Sequence, residues 1–440
     1  MFFLGLWASR LFYDVFEKNK NNDRMAVLGF RFDKDFLRHL AKPKTIIAVT
    51  GTNGKTTTCN MLRDLFLANG YKVTSNHEGL NMRSGITKAF ARDVTWFNKP
   101  KTDVAIIEFD EISTKDFLDQ IKPNYVVVTN LTADMISLNG HVDFTYQKIN
   151  EGLPENATLV LNGDDIISCR LGKETNRKIF FSIAKQPDEK DDEYKLVNDG
   201  IICPNCSEHL QYSFHRYHST GFAKCPNCGF ENPKPDYQIT EINREDNTFT
   251  MNGEKIKMVN NNIINIYNQL VCCVFAKEFK MPKVSEAFEN IQIIKTRADR
   301  EVVNGVEIIS QLAKSENPIA LDRTLKYICS IEGEKDLLMT LGDPHDIDSD
   351  KLSENVAYLY QVDFSILNDP SIRNIILFGY RTDDVKLRML INGVDASKLT
   401  VAKDNDVKIK GGVNKIILMH ALSSYYLAME VKEKVKEQLL

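Results

Sequence analysis

Gly51-Thr52-Asn53-Gly54-Lys55-Thr56-Thr57 brings two glycines, a lysine and three hydroxyls into one short stretch. A glycine-bearing turn ahead of a helix exposes backbone N–H groups and a helix N-terminus to one anion, which favours polyphosphate. In that layout Lys55 reaches the outer phosphates and the Thr56 hydroxyl holds Mg²⁺. The common G-x-x-x-x-G-K-[ST] pattern wants a glycine where this chain has Val49; its first glycine comes two residues later, at Gly51. A second group is acidic. Glu108 closes an apolar run and is followed by Asp110 and Glu111. A carboxylate there can hold the Mg²⁺ that bridges nucleotide phosphates, since a hard cation wants oxygen ligands. For Asp110 and Glu111 a solvated acidic turn is an equal reading. Asn130 and Asp134 follow the next apolar run and could line the same crevice.

Cys203-Pro-Asn-Cys206 and Cys225-Pro-Asn-Cys228-Gly229 stand 18 residues apart. Two C-P-x-C knuckles at this spacing predict a zinc ribbon. Four thiolates leave no open position, so the zinc would be structural, stabilising a segment too small for a core of its own. His209, His215 and His218 between the knuckles read as surface residues of the ribbon. Asn265 and Asn268 open a helix, as a hydrogen-bonded binding surface or a cap. Arg297 could set a guanidinium against phosphate or base. Further on, Lys314, Asn317 and Pro318 form a polar loop. Arg381 follows a strand and points toward a crevice, and Asp384 and Arg388 have the spacing of an i, i+4 pair.

These residues need a scaffold. Thr45–Thr50, Val104–Phe109 and Tyr125–Asn130 are short apolar runs with polar ends, as expected of parallel strands buried on both faces. Their carboxyl ends should gather beside the phosphate loop. Ala157–Asn162 predicts another strand. Residues 237–260 predict a hairpin turning at Asn252-Gly253, and helical patterns follow at 263–280 and 283–291. From about 298–306 onward, Val306–Ile309, Asp336–Leu341 and Asn374–Phe378 predict a second, smaller α/β domain. The expected division is an N-terminal helical segment over 1–40, an ATP-binding α/β domain over 41–300 with the ribbon inserted at about 201–232, and a C-terminal α/β domain over 301–440.

A chain of 440 residues that is 43% hydrophobic has material for several cores. Its formal charge of −4 implies no domain-wide basic field of the kind bulk nucleic-acid binding uses. Of nine cysteines, four fall in the knuckles and five are scattered, a pattern of a reducing, cytoplasmic setting with one metal site. No run reaches the length of a membrane span. The apolar start lacks the basic region and cleavage site of a secretory signal. Residues 2–16 fit an amphipathic helix with Phe3, Leu6, Trp7, Leu11, Phe12 and Phe16 apolar. Such a helix either docks on the body or rests on a membrane surface.

The order of these features resembles the Mur ligase superfamily: the T-G-T-N-G-K-T-T loop, the strand-terminal glutamate and the T-N-x-x-x-D segment. Within it, the inserted ribbon resembles the MurT-type family of lipid II isoglutaminyl synthase subunits. Ser75-Asn76…Gly79-Leu80-Asn81-Met82, Leu161-Asn162-Gly163-Asp164-Asp165, Asn265-Ile266-Tyr267-Asn268, Leu312-Ala313-Lys314…Asn317-Pro318 and Gly379-Tyr380-Arg381…Asp384…Arg388 carry the likeness further. It covers roughly residues 40–400. The resemblance implies an ATP-dependent ligase. On that resemblance ATP would phosphorylate the α-carboxyl of the D-glutamate in the lipid II stem peptide, and ammonia from a GatD-type glutaminase partner would then convert the acyl phosphate to D-isoglutamine. The residues carried over are Gly51, Thr52, Asn53, Gly54, Lys55, Thr56, Thr57, Asn268 and Arg297 for the nucleotide, Thr56 and Glu108 for Mg²⁺, and Asn76 and Asn81 on the nucleotide or substrate side.

The departures fall in the C-terminal domain. The family's tryptophan-rich strand, D-x-S-W-x-W-D-x-D-F, lies near the glutaminase, and an aspartate there is held to complete the partner's Cys-His pair. Here the stretch reads Asn355-Val356-Ala357-Tyr358-Leu359-Tyr360-Gln361-Val362-Asp363-Phe364. Asn355 and Gln361 replace two carboxylates, while Asp363 remains as the catalytic candidate. An amide can orient a histidine but cannot stabilise an imidazolium by charge. Asp346, Asp348 or Asp350 could substitute through an altered loop, and Thr296 replaces the glycine of the family's G-R segment. Three readings stay open: a subunit working with a glutaminase, a standalone amide ligase acting on another carboxylate or with another nitrogen donor, and a nucleotide-gated scaffold protein.

Overall fold

The computed structural model describes residues 1–440 except 18–23, 77–80, 135–138, 188, 190–198, 290–297, 314–316, 343–356 and 422. Arg297, Thr296, Lys314, Asn355, Gly79, Leu80 and the three aspartates at 346, 348 and 350 therefore lie outside the described residues. The chain divides into two compact units, the second made mainly of the residues from strand Ala298–Val303 onward together with a short segment around Asp134.

The first unit is built on β1 (Thr45–Thr50), β2 (Val73–Ser75), β3 (Val104–Glu108), β4 (Tyr125–Val128), β5 (Thr158–Asn162), β6 (Lys178–Ile183), β9 (Tyr237–Asn243), β10 (Thr248–Met251) and β11 (Glu254–Lys257). The sheet order is β11-β10-β9-β6-β5-β4-β1-β3-β2, parallel from β2 to β9 and antiparallel beyond. Burial on both faces explains the unbroken apolar runs. Ile46 and Ala48 of β1 enter the core on one face, and Ile47 and Val49 enter the core on the other. Helices Lys55–Ala68 and Ile263–Glu278 cover the second face, with Phe66, Phe275 and Phe279 rings 5.1–6.5 Å apart.

Asn252-Gly253 does form a turn, with φ of 47° and 85°, but it joins β10 to β11. The expected hairpin over 237–260 is a three-stranded meander, because Asn247 supplies another left-handed turn residue ahead of β10. Between β6 and β9 the chain runs out into a separate hairpin, β7 (Gln211–Tyr217) and β8 (Thr220–Lys224). Helices α1 (Phe2–Phe12) and α2 (Arg24–Phe32) belong to this first unit. Leu6 and Met25 join the same core as Ile46.

The second unit holds a six-stranded sheet, ordered β12-β13-β17-β14-β15-β16. Its strands are β12 (Ala298–Val303), β13 (Val306–Leu312), β14 (Lys335–Thr340), β15 (Ile372–Leu377), β16 (Leu399–Val401) and β17 (Lys415–His420). Only β12 is antiparallel to its neighbour. Since β12 pairs with β13 from Ala298 onward, this sheet starts a few residues before 301.

Candidate functional site

β1 has β3 on one side and β4 on the other, so the chain reverses its order of strand addition around it. Ligands of open α/β sheets bind beyond the strand ends at such a point. The loop after β1 turns through Gly51 (φ 123°) and Gly54 (φ 88°), and the helix starts at Lys55. Both glycines are required. A Cβ on Gly51 would lie 2.3 Å from Thr129 Oγ1, and one on Gly54 would lie 2.3 Å from Asn268 Oδ1. Asn268 is thus pressed against the phosphate loop from helix Ile263–Glu278.

The end of β4 fixes the loop's shape. Thr52 N–H donates to Asn130 C=O (2.9 Å), Asn53 N–H to Asn130 Oδ1 (3.1 Å) and Asn130 Nδ2 to Asn53 C=O (2.9 Å). Thr129 Oγ1 donates to Asn53 C=O at 2.7 Å. The Leu161–Asp165 motif braces this segment in turn: Asn162 Nδ2 donates to Thr129 C=O (3.0 Å), and Asp165 Oδ2 accepts from Leu131 N–H (2.7 Å). That motif therefore acts on the loop through the residues that hold it.

Lys55 Nζ donates to Gly51 C=O (2.7 Å) and to Glu111 Oε1 (2.6 Å). Glu111 is buried, which corrects the reading of a solvated turn. Burial pushes its carboxyl up, and Lys55 pulls it down. Asp110 only caps its own turn, accepting from Ile112 N–H at 3.1 Å. Glu108 is buried at the end of β3, and Asn76 bonds both its backbone N–H (2.9 Å) and its C=O (2.7 Å). Burial raises the Glu108 carboxyl above its ordinary value, against the opposing pull of Thr56, Lys55 and Asn81. Among the described residues its Oε2 is buried without a hydrogen-bond partner. A buried carboxylate oxygen of this kind normally finds a donor or a cation. With the Thr56 hydroxyl beside it, this donor set fits a hard divalent ion.

The cysteines meet as expected. The sulfurs of Cys203, Cys206, Cys225 and Cys228 all lie within 4.8 Å of one another and none is in a disulfide. Each knuckle closes alike: Ser207 N–H donates to Cys203 C=O and Gly229 N–H to Cys225 C=O, both donating residues having positive φ. Four sulfurs so placed fit a tetrahedral thiolate-bound metal. Two of the three ribbon histidines are not on the surface. His215 stacks on Tyr212 (ring centroids 3.7 Å apart) and His218 lies 3.4 Å from Asp199, because one side of the ribbon packs on the first unit. Arg216 of β7, which sequence reasoning passed over, is buried on that side. It contacts Asp164 (3.1 Å), Glu189 (2.6 Å) and the Tyr267 hydroxyl, and Tyr267 adjoins Asn268 in sequence. The one signal for it was a lone arginine in a strand that also carries Tyr212, Phe214, His215 and Tyr217.

Other expected residues go elsewhere. Asp134 groups with the second unit, where Asn317 Nδ2 donates to its Oδ1 at 3.1 Å. Asp384 pairs with Arg381 (3.2 Å) and not with Arg388. Arg388 is buried, and its guanidinium donates to the carbonyls of Leu359, Tyr360 and Val362. The described part of the stretch matched to a tryptophan-rich strand forms a 3₁₀ turn, Ala357–Gln361, held by those carbonyl bonds, and leads into a second, Phe364–Asn368. Asp363 caps the second turn, accepting from Ser365 N–H (3.0 Å) and Ser365 Oγ (2.6 Å).

Comparison with known proteins agrees with this geometry. The Mur ligase middle domain matches residues 49–218, and the MurT ligase C-terminal domain matches 314–428. A lipid II isoglutaminyl synthase subunit MurT from Staphylococcus aureus (strain COL) is 29% identical over 381 residues, covering 86% of this chain and 84% of its own. Its counterpart from Streptococcus pneumoniae (strain ATCC BAA-255 / R6) is 26% identical, covering 98% and 96%. Among solved structures, a pseudomurein peptide ligase type C from Methanothermus fervidus superposes with a TM-score of 0.64 at 21% identity, covering 95% of this chain and 85% of its own. MurF from Acinetobacter baumannii reaches 0.57 at 13%, covering 94% and 80%. The chain belongs to the Mur ligase superfamily, with a C-terminal domain of the MurT type.

Proposed function

We propose that this Mur-type ligase is the ATP-dependent subunit of a lipid II amidating enzyme. It activates the α-carboxyl of D-glutamate in the stem peptide as an acyl phosphate and forms D-isoglutamine with ammonia from a GatD-type glutaminase. The observation that carries the nucleotide half is the loop 51–57, held open by two obligatory glycines beside Glu108, whose buried Oε2 has no hydrogen-bond partner among the described residues. Backbone N–H groups of Gly54 to Thr56, at the helix N-terminus, bind the phosphates. Lys55 leaves Glu111 for the outer phosphate and neutralises charge as the phosphoryl group moves. Thr56 and Glu108 would hold Mg²⁺, which would supply neutralisation of phosphate charge. The four cysteines hold structural zinc. The names of the full-length relatives support the substrate and the partner, and a lipid-linked substrate places the work at the inner membrane surface of the cytoplasm. Asp363 and Arg297 stay in the proposal as contributions to the partner's site and to the nucleotide.

The test is ADP release by zinc-loaded protein with lipid II, supplied with ammonium or with glutamine, with and without the glutaminase. Release should require the carboxylate substrate, and glutamine should serve only when the partner is present. Substrate-independent hydrolysis, or none, would overturn the ligase reading. Gln361 in place of a family carboxylate favours a second reading, a standalone ligase. That reading gains if added glutaminase gives no glutamine-dependent turnover while ammonium does.

A further inference from the structure

The chain's two tryptophans lie side by side. Trp7 Nε1–H, on α1, donates to the backbone carbonyl of Trp96 at 2.9 Å. The inner side of α1 is committed to the protein: Gly5 lets α2 approach closely, and Leu6 is fully buried. The outer side is not. Phe3, Leu4, Trp7 and Leu11 are exposed along one stripe, Leu11 at 61%, so only part of the apolar side read from the sequence docks on the body. The Trp96-Phe97 turn adds a second apolar element, and Phe97 is 78% exposed.

That turn is held rigidly, which argues against idle exposure. Thr95 N–H donates to Lys99 C=O (2.8 Å), Asn98 N–H donates to Thr95 C=O (3.0 Å), and the Asn98 side chain bonds Ala41 N–H (2.8 Å) and His39 C=O (2.9 Å). Cations surround it. The Arg10 guanidinium lies 5.1 Å over the Trp96 ring, Lys99 and Lys101 are exposed on the turn, and Arg92 lies 5.3 Å over Tyr13. Of the nearby acids, Asp14 acts on both Arg10 and Lys101, and Asp93 acts on Lys101 as well.

We propose that α1 and the Trp96-Phe97 turn form a docking face for an anionic lipid bilayer. Tryptophan and phenylalanine settle at the headgroup boundary, while lysine and arginine beside them meet anionic lipid. The occupant is chosen by this pairing of apolar tips with a cationic rim. The face stands on exposure and charge alone, apart from the ligase reading.

The full chain provides its own reporter, since both tryptophans sit on this face. Tryptophan emission and co-sedimentation are measured with phosphatidylcholine vesicles with and without phosphatidylglycerol, omitting ATP and lipid II. The expected result is a blue shift and pelleting with the anionic vesicles, weakened by salt. The exposed double substitution Leu11→Ser, Phe97→Ser should bind at least about tenfold more weakly, with zinc content and melting unchanged. No shift with either vesicle overturns the proposal, as does equal binding to neutral vesicles. So does a shift that follows protein concentration without lipid, which would make a second copy of the chain the occupant. None of these outcomes depends on turnover, so failure here and failure of the ligase reading are told apart.

Discussion

Lys55 is tied to Glu111 by a 2.6 Å ion pair between two largely buried side chains. Removing one partner of such a pair leaves an uncompensated buried charge, at a cost of about 3–5 kcal/mol. Lys55→Ala therefore has two separable effects. Turnover should fall at least roughly 10³-fold, from lost neutralisation of the moving phosphoryl group. Stability should fall as well, since Glu111 stays in a site where burial already raises its carboxyl. Glu111→Gln added to Lys55→Ala removes the stranded charge. The double variant should regain most of the melting temperature and none of the ADP release. If the single variant kept full turnover, Lys55 would have no part in the phosphate site.

Between elements, the phosphate loop is shaped by neighbours that approach it from outside. Gly54→Ala puts a Cβ into Asn268 and an L side chain at φ 88°, a backbone cost of about 1–2 kcal/mol. ATP affinity measured by calorimetry should drop at least about tenfold. Adding Asn268→Ala relieves the clash but not the backbone strain, so only part of the melting loss should return. Arg216 makes a similar case farther out. Arg216→Ala strands Asp164, whose carboxyl burial already pushes to about 6 despite the guanidinium. About 3 kcal/mol of stability should be lost with zinc still bound, whereas Arg216→Ala with Asp164→Asn should lose clearly less.

The central sheet was legible because strands buried on both faces leave continuous apolar runs. The loop was legible because only glycine tolerates its angles and close approaches. Glu111, Arg216 and the inward side of the ribbon were not, since an acid or arginine carries no mark in sequence of the partner that permits its burial. The Asp384–Arg388 spacing misled for the same reason: three carbonyls from a distant turn outcompeted a helical neighbour for Arg388. The stripe on α1 was read correctly as apolar, but periodicity cannot say which side of a helix the glycine contact commits to the core.

At the scale of the whole molecule, the ribbon is part of the first unit's interior. Tyr212 and Ala223 of the ribbon hairpin belong to the core on one face of the first sheet, Tyr217 packs against the core on the other, and Arg216 reaches Asp164. The second unit has apolar clusters of its own, around Leu337 on one face of its sheet and Leu338 on the other. Loss of the metal should accordingly be felt by one unit alone. Cys225→Ser leaves three thiolates, too few for a closed tetrahedral site, and the ribbon's fold is linked to its metal. Metal content should fall from one zinc per chain to nearly none. In scanning calorimetry the transition of the first unit should drop by roughly 10 °C, or about 3–5 kcal/mol for a unit of this size, while that of the second stays in place. Chelation of the unmodified protein should reproduce the drop, and re-added zinc should reverse it. Unchanged melting after complete zinc loss would mean that the hairpin is held by its packing on the first unit, with the four cysteines contributing no stability to the fold.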